Sequence, residues 1–194
     1  MTCCSDKPKS LMKSGTPRSS IQYSVKSPRL LAKKKMEKKK ILFVCLGNIC
    51  RSPGAEAVFN GVIKKNGLAN QFEVDSAGTS GWHAGEPADR RMQSHAIKRG
   101  YNLTSISRKF NPHSDFDHFD MIIGMDNSNI ENLNRMARNG NDLKKIYKMT
   151  DFSQSFDYDE VPDPYYGGAD GFELVLDLLE DSCKGLVEKI KEEG

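Results

Sequence analysis

Residues 41–53 read ILFVCLGNICRSP and contain a complete unit of secondary structure. The apolar run Ile41–Val44 has the length and the branched side chains of a strand that is buried on both faces of a parallel sheet. Pro53 occupies a position that the first turn of a helix tolerates, and apolar residues then recur at helical spacing as far as Asn66 and Gly67. This segment therefore predicts a strand, a short loop and a helix, in that order.

The rest of the chain repeats this alternation of strands and helices. Further strands are predicted over residues 72–75, 120–125 and 145–149, and further helices over residues 89–99, 126–136 and 172–190. Gly, Ser and Pro are frequent in residues 76–87, which predicts an exposed loop there. Strands that alternate with helices form a parallel sheet with helices packed against it. The predicted fold is therefore α/β: a single domain with a four-stranded parallel sheet flanked by helices on both faces.

The composition excludes two classes of function. The 194 residues have a mean hydropathy of −0.60 and contain no apolar run of 18 residues, so we expect no integral membrane association. Residues 1–40 contain 12 Lys and Arg and 2 Asp and Glu, whereas residues 41–194 contain 17 basic and 24 acidic residues. The part of the chain that can fold is thus acidic and would repel a nucleic-acid backbone. We therefore expect no nucleic-acid partner.

The charge distribution also divides the chain. Residues 1–39 are interpreted as a basic, disordered N-terminal extension, because they lack an apolar pattern long enough to be buried, and residues 40–194 as the domain. The extension is compatible with a solvated tail, organelle import, nuclear targeting or weak contact with anionic lipid. Met36 lies just before the first strand and could be an alternative start. The five cysteines are a sparse, odd-numbered set, which favours a reducing compartment and a cytoplasmic location.

The loop after the first strand predicts a site for a dianion. Cys45 ends the strand, and Arg51 follows six residues later at the start of a helix. Ligands of α/β sheets bind beyond the carboxyl ends of the strands, and a helix N-terminus attracts anions. A curled loop can surround an anion with backbone N–H groups, and Gly47 is expected to supply a positive φ angle for the curl. The predicted phosphate-binding residues are Leu46, Gly47, Asn48, Ile49, Cys50 and Arg51.

The same surroundings predict a nucleophile. The positive field of the loop and of Arg51 favours a thiolate at Cys45, and the planar guanidinium suits two phosphate oxygens. Ser52 can donate its hydroxyl to this thiolate, and the Asn48 side chain can brace the loop. Glu56 is interpreted as a first-turn charge favoured by the helix dipole rather than as a partner of the loop. The histidines lack the clustering of a metal site and are expected to be structural or exposed: His83, His95, His113 and His118.

These residues resemble the active-site loop of the low-molecular-weight protein tyrosine phosphatase family. Residues 75–79 (DSAGT), 125–129 (MDNSN) and 163–168 (DPYYGG) also match that family, and the resemblance covers about residues 40–190. It implies hydrolysis of phosphotyrosine monoesters through a phosphocysteine intermediate, without a metal or another cofactor. The implied substrates are phosphotyrosine-containing proteins or small aryl phosphates, and the product is inorganic phosphate.

The resemblance also implies roles outside the loop. Asp163 lies between two prolines, and by spacing alone it could be an ordinary turn aspartate. The resemblance implies instead that Asp163 is the general acid and base. It further implies that Cys50 protects the catalytic cysteine through a reversible disulfide. The substrate-contacting residues are expected to be Trp82, Tyr165 and Tyr166.

Two features of the sequence depart from the family pattern. Gly54 stands where the family usually has a larger apolar residue, which lowers the local helix preference by roughly 0.5–1 kcal/mol. The histidines that the family often has near Arg99 and Ser105 are absent. These departures bear on the rigidity and support of the loop rather than on its chemistry.

Three other functions are alternatives to the phosphatase. Protein arginine phosphatases resemble the family but usually carry Thr at the position of Ile49. Arsenate reductases of related fold need two further relay cysteines, which the domain does not offer. A noncatalytic phosphotyrosine-binding or redox-sensing module is disfavoured because Cys45, Arg51 and Asp163 are all present. The arginine phosphatase and the noncatalytic module stay as alternatives.

Overall fold

A computed structural model describes residues 37–193, and it describes the side chains of these residues other than Tyr166 and Glu193. The predictions about residues 1–36, including the alternative start at Met36, lie outside the described residues. So does the prediction that the Tyr166 side chain contacts the substrate.

Four parallel strands form one sheet in the order β2-β1-β3-β4. The strands are β1 (Lys39–Cys45), β2 (Phe72–Gly78), β3 (Met121–Gly124) and β4 (Ile146–Lys148). The α-helices are α1 (Arg51–Lys65), α2 (Arg90–Lys98), α3 (Pro112–His118), α4 (Asn127–Met136), α5 (Gly140–Leu143) and α6 (Gly168–Glu193). Short 3₁₀ helices cover Ala69–Gln71, Met149–Phe152 and Pro164–Tyr166. The predicted four-stranded parallel α/β fold is confirmed.

The first strand lies at the centre of the sheet and is covered on both faces. Ile41 and Phe43 pack in a hydrophobic cluster with residues of α1, α2 and α6, whereas Leu42 and Val44 pack in a second cluster with residues of α3 and α4. All four side chains are fully buried, which explains why the sequence of β1 is continuously apolar rather than alternating. The strand therefore delivers Cys45 to the carboxyl edge of the sheet, between β2 and β3.

The second strand is longer than expected. It continues to Gly78, so residues 76–78 pair with β1 and are buried. The loop after β1 passes directly over this end of β2, and a Cβ at Gly78 would lie 2.8 Å from the Leu46 carbonyl oxygen. Small residues are needed at this crossing, and their turn-like composition hid the strand. The expected exposed loop is therefore wrong for residues 76–78, whereas residues 81–87 are mostly exposed.

Helices α3 and α5 and the start of α6 were not apparent in the sequence. Helix α3 is short and has no apolar periodicity, but Pro112 begins it and the Asn111 side chain accepts a hydrogen bond from the His113 N–H. Helix α6 begins at Gly168, four residues before the first apolar residue of its stripe, Phe172. Within residues 37–193 no helix combines the length and the apolar composition of a membrane span.

The packing of α1 accounts for the unusual Gly54. A Cβ at this position would lie 2.5 Å from Met92 Cε and 3.2 Å from Leu179 Cδ1. Side chains from α2 and α6 therefore occupy the space that a larger residue would fill. The glycine lets both helices approach the start of α1 closely. Gly54 therefore lowers the local helix propensity but permits tight packing at the same position.

Candidate functional site

Residues 46–50 join β1 to α1 and curl around the thiol of Cys45. The backbone N–H of Asn48 donates a hydrogen bond to Cys45 Sγ at 3.3 Å, and Ser52 Oγ lies 3.0 Å from the same sulfur. Helix α1 begins at Arg51, so its free N–H groups and the positive end of its dipole lie beside the curl. The structure thus brings backbone donors, a hydroxyl and a helix N-terminus to one buried sulfur.

The left-handed residue of this loop is Asn48, with a φ of 56°. Asparagine tolerates this conformation better than most residues because its short polar side chain can form local hydrogen bonds. Asn48 Nδ2 donates to Ser52 Oγ and Ser76 Oγ, both at 2.9 Å, and Oδ1 accepts from the Arg108 N–H at 2.9 Å. The expectation that Gly47 supplies the positive φ angle is therefore wrong, whereas Asn48 does brace the loop.

A buried carboxylate supports the loop from below. Ser76 Oγ, which accepts from Asn48, donates to Glu56 Oε2 at 2.6 Å. Burial raises the pKa of Glu56 above its ordinary value, and hydrogen bonds from Ser76 and Ser105 counteract part of that rise. Glu56 lies in the second turn of α1, so its interpretation as a first-turn charge is wrong. A hydrogen-bonded network under the loop is present although the family's histidines near Ser105 are absent.

The guanidinium of Arg51 is held by two carboxylates. Its Nη1 donates to Asp126 Oδ2 at 2.5 Å and to the Val161 carbonyl at 3.2 Å, and its Nη2 donates to Asp163 Oδ2 at 3.1 Å. Arg51 is only 4% exposed. Burial opposes the charged form, but Cys45 and Asp126 outweigh it and raise the pKa of Arg51 above its ordinary value. The site therefore contains a fixed positive charge beside the Cys45 sulfur.

From the sequence, Asp126 is expected only as a possible helix cap. It is the cap of α4, because its Oδ1 accepts a hydrogen bond from the Asn129 N–H at 2.6 Å. Its other oxygen orients Arg51, a role that was not predicted from the sequence. The order of the strands could have predicted this contact. Asp126 follows β3, and β3 is the neighbour of β1, so both strands end at the same edge of the sheet.

A cavity of about 640 Å³ opens in front of the loop. Asp163 reaches it from a distant segment, and the Asp163 Oδ1 also accepts a hydrogen bond from the Tyr165 N–H at 3.0 Å. The cavity is lined by most of the predicted site residues, namely Cys45, Leu46, Gly47, Ile49, Cys50, Arg51, Trp82, Asp163 and Tyr165. Asn48 and Ser52 do not line it but hold the loop from behind.

Two aromatic residues stand at the mouth of this cavity. Trp82 is 77% exposed, and Tyr165 is also exposed. The guanidinium of Arg91 lies 5.1 Å from the ring centroids of both Tyr165 and Phe172, so it fastens the Tyr165 ring to α6. The cavity thus offers apolar ring surface at its mouth and positive charge at its base.

Cys50 lines the same cavity but differs from Cys45 in its chemistry. Burial, followed by the charge of Asp89, raises the pKa of Cys50 to about 12. Cys50 is therefore a neutral thiol near neutral pH. Both cysteines are free thiols in this structure, and so is Cys183 in the core.

Several lining residues were not assigned from the sequence: His83, Glu86, Pro87, Ala88, Asp89 and Arg90. The His83 ring packs on the loop, because a Cβ at Gly47 would lie 3.1 Å from His83 Cδ2. The Asp89 N–H donates to the Ile49 carbonyl at 2.7 Å and ties the start of α2 to the loop. The available signal was the position of this segment after β2, the other neighbour of β1.

The histidines form local pairs rather than a cluster. Three of them pair with glutamates: His83 with Glu86, His95 with Glu173, and His118 with Glu73. Within residues 37–193, no group of three or more His, Cys, Asp or Glu side chains is arranged to hold a metal ion.

The Asn48 network gives a testable prediction. Asn48→Ala is expected to lower the free energy of unfolding by about 2–4 kcal/mol, because the side chain leaves buried partners without hydrogen bonds and alanine is strained at this φ angle. Asn48→Gly is the matched control, since glycine removes the same hydrogen bonds without the strain, and it should recover about 1 kcal/mol. Denaturant titration measures both values. Wild-type stability in Asn48→Ala would contradict the bracing role.

Comparisons with known proteins agree with this geometry. The family model described as low molecular weight phosphotyrosine protein phosphatase matches residues 40–194. A Schizosaccharomyces pombe low molecular weight phosphotyrosine protein phosphatase is 44% identical over 151 residues, which cover 77% of this chain and 96% of that protein. The similarity confirms the expected class of cysteine-dependent protein tyrosine phosphatases.

Solved structures show the same similarity. A protein tyrosine phosphatase from Entamoeba histolytica is 48% identical and superposes with a TM-score of 0.78, covering 80% of this chain and 99% of that chain. A Drosophila arginine phosphatase is 32% identical with a TM-score of 0.73, covering 78% of this chain and 98% of that chain. The chain therefore belongs to the low-molecular-weight phosphotyrosine protein phosphatase family.

Proposed function

We propose that the chain hydrolyses aryl phosphate monoesters in two steps, with Cys45 as the nucleophile, Arg51 as the phosphate-binding cation, and Asp163 as the general acid and base. One observation carries the proposal: Asp163, which is far from Cys45 and Arg51 in sequence, lines the same cavity as these two residues in front of a curled loop. In the first step the sulfur forms a bond to phosphorus while the bond to the leaving oxygen breaks and Asp163 gives that oxygen its proton. In the second step water attacks phosphorus, Asp163 accepts the water's proton, and the sulfur leaves.

The surroundings of Cys45 support its role as nucleophile and as leaving group. A sulfur anion would accept hydrogen bonds from the Asn48 N–H, which already donates to Sγ, and from the Ser52 hydroxyl, whose oxygen lies 3.0 Å from Sγ. The nearby Arg51 and the start of α1 add positive charge. The same groups stabilise the sulfur again when the phosphocysteine intermediate is hydrolysed. The proposal therefore uses one set of contacts in both steps.

The ion pairs of Arg51 support a division of labour between two carboxylates. Asp126 binds Nη1 and is itself fixed as the cap of α4, so it can hold the guanidinium in place throughout the reaction. Asp163 binds Nη2 from an exposed loop, and a phosphoryl oxygen would compete with it for this donor. Binding of the dianion thus releases the Asp163 carboxylate toward the leaving oxygen.

The shape of the cavity supports an aryl substrate. Trp82 and Tyr165 present apolar ring surface at its mouth, and Ile49 adds a branched apolar side chain to its wall. We infer that the substrates are phosphotyrosine-containing proteins or small aryl phosphates. We also propose that Cys50 protects Cys45 as a reversible disulfide partner, since both line the cavity.

The reaction requires a free thiol, and this requirement supports a reducing, cytoplasmic location. The N-terminal extension is proposed to add weak contact with anionic lipid, or targeting to an organelle or the nucleus, because residues 1–40 carry a net charge of +10. Removal of residues 1–35 should change the location of the protein in cells and leave hydrolysis unchanged.

The proposal is tested by comparing phosphate release from phosphotyrosine, phosphoserine and phosphoarginine peptides of one sequence, in the presence of a metal chelator. We expect phosphotyrosine to be hydrolysed fastest, by at least about tenfold, because only its ring reaches the aromatic mouth. Faster release from phosphoarginine would instead assign the activity named for the Drosophila structure. Binding without phosphate release would indicate a noncatalytic module, and loss of activity in chelator would contradict the mechanism.

A further inference from the structure

The loop that carries Asp163 is anchored shortly before this residue. It spans residues 153–163, between the 3₁₀ helix Met149–Phe152 and the 3₁₀ helix that begins at Pro164. The Val161 N–H donates to the Met125 carbonyl at 2.8 Å, and the Val161 side chain is fully buried. Asp163 lies two residues beyond this anchor, so the position of the chain around Val161 limits where the carboxylate can reach.

The segment immediately before Val161 is tied down by Asp159. One carboxylate oxygen, Oδ1, accepts a hydrogen bond from Lys148 Nζ at 2.6 Å, and the other, Oδ2, accepts one from Asn127 Nδ2 at 2.8 Å. The Asp159 carbonyl accepts a third from Thr150 Oγ1 at 2.7 Å. These contacts lower the pKa of Asp159 below its ordinary value, with the Lys148 hydrogen bond as the main cause. Both side-chain oxygens and the backbone of one residue are thus engaged.

One partner of Asp159, Asn127, belongs to the helix whose cap positions Arg51. Asn127 is the first residue of α4 and follows Asp126, whose carboxylate binds the guanidinium. The Asn127 N–H also donates to Glu160 Oε2 at 3.2 Å. Of these two consecutive residues, Asp126 therefore contacts Arg51, and Asn127 contacts the loop that carries Asp163.

Stability alone does not explain these contacts. The Asp159 side chain is 74% exposed, and exposed ion pairs contribute little to folding. The loop also carries Asp157, Glu160 and Asp163, so its charges repel one another, and Lys148 offsets the charge of Asp159. The contacts have their largest consequence for the position of the loop rather than for the unfolding free energy.

We propose that Asp159, through Lys148 and Asn127, is a positioning residue that directs Asp163 toward the leaving-group oxygen. This inference rests on the proposed function, because it requires Asp163 to be the general acid. A misplaced acid slows only the reactions that need a proton at the leaving oxygen. Phenyl phosphate needs that proton, whereas dinitrophenyl phosphate has a leaving group that departs without it. The two substrates therefore separate a positioning role from a general structural one.

The experiment compares kcat/KM for these two substrates in wild type, Asp159→Ala and Asp157→Ala. Asp157 is the matched control, because it has the same charge in the same loop and the structure gives it no hydrogen bond or ion pair. We expect Asp159→Ala to lower kcat/KM by about three- to tenfold for phenyl phosphate and by less than about twofold for dinitrophenyl phosphate. Asp157→Ala should leave both values unchanged. Equal losses for both substrates in Asp159→Ala, or equal losses in the two variants, overturn the inference.

A double variant separates this inference from the proposed function. In an Asp163→Asn background there is no acid left to position, so Asp159→Ala should have no further effect on phenyl phosphate. A further loss of the same size in that background overturns the positioning role. If Asp163→Asn by itself loses no more activity on phenyl phosphate than on dinitrophenyl phosphate, the assignment of the general acid fails instead. Thermal unfolding of each variant verifies that the fold is retained.

Discussion

Cys45→Ser is expected to abolish measurable hydrolysis of para-nitrophenyl phosphate, with a loss of at least about 10³-fold in kcat. A serine hydroxyl fits the space of the thiol and can still meet the Asn48 N–H and the Ser52 hydroxyl. It is not ionised near neutral pH, however, so the surrounding positive charge has no anion to stabilise. The measurement is the steady-state rate at mildly acidic pH in the presence of a chelator.

The neighbouring thiol provides the control for this prediction. Because burial raises the pKa of Cys50 to about 12, it stays protonated and cannot serve as the nucleophile. Cys50→Ser should therefore keep kcat within about threefold of the wild type, since it removes a thiol of the same loop without removing the reacting atom. Acid quenching during turnover should trap phosphate on Cys45 in Cys50→Ser and not in Cys45→Ser. Turnover by Cys45→Ser near the wild-type rate would contradict the mechanism.

Asp163→Asn is expected to produce the second-largest effect, a loss of about 10²-fold in kcat/KM for phenyl phosphate. The amide has the size of the carboxyl group but cannot give a proton to the leaving oxygen. It also carries no charge to compete for Arg51 Nη2, so inorganic phosphate should bind this variant more tightly than the wild type. Steady-state kinetics with phosphate as a competitive inhibitor give both quantities.

The two parts of this result exclude different explanations. General damage to the loop would weaken phosphate binding together with catalysis, whereas loss of the acid alone weakens catalysis and strengthens binding. The matched substitution is Asp157→Asn, which removes one charge from the same loop at a residue without a hydrogen bond or ion pair and should change neither quantity. A loss of phosphate affinity in Asp163→Asn would show that this carboxylate holds the loop rather than serving the reaction.

Much of the fold could be predicted because it depends on local patterns. The apolar run of β1, the helical spacing of α1 and α6 and the order of strands and helices all reflect burial, which a short window of sequence records. The wrong predictions concern segments whose structure depends on tertiary packing rather than on the local composition of the sequence. Residues 76–78 look like a loop yet form a strand, because small side chains are what the crossing of the Leu46 carbonyl demands.

The part of the site that could be predicted consists of residues that are close together along the chain. Cys45 and Arg51 are separated by a single short loop, so their proximity follows from the strand, loop and helix around them. Asp163 was associated with them through the family resemblance, because nothing in its own surroundings distinguishes it from a turn aspartate. The positive φ angle was assigned to Gly47 because glycine adopts it most easily, but Asn48 has it since its side chain has partners on other elements.

By itself, then, the sequence determined the parallel α/β architecture, the position of the proposed anion-binding loop and the identity of the sulfur at its base. Only the tertiary structure decided that Asp126 orients Arg51, that Glu56 supports the loop through Ser76, and that Asp159 ties down the segment before Asp163. Hydropathy and spacing report which residues are buried along one element. The hydrogen-bond and ion-pair partners of a polar side chain depend instead on which strands and loops end at the same edge of the sheet. The tertiary fold determines this arrangement.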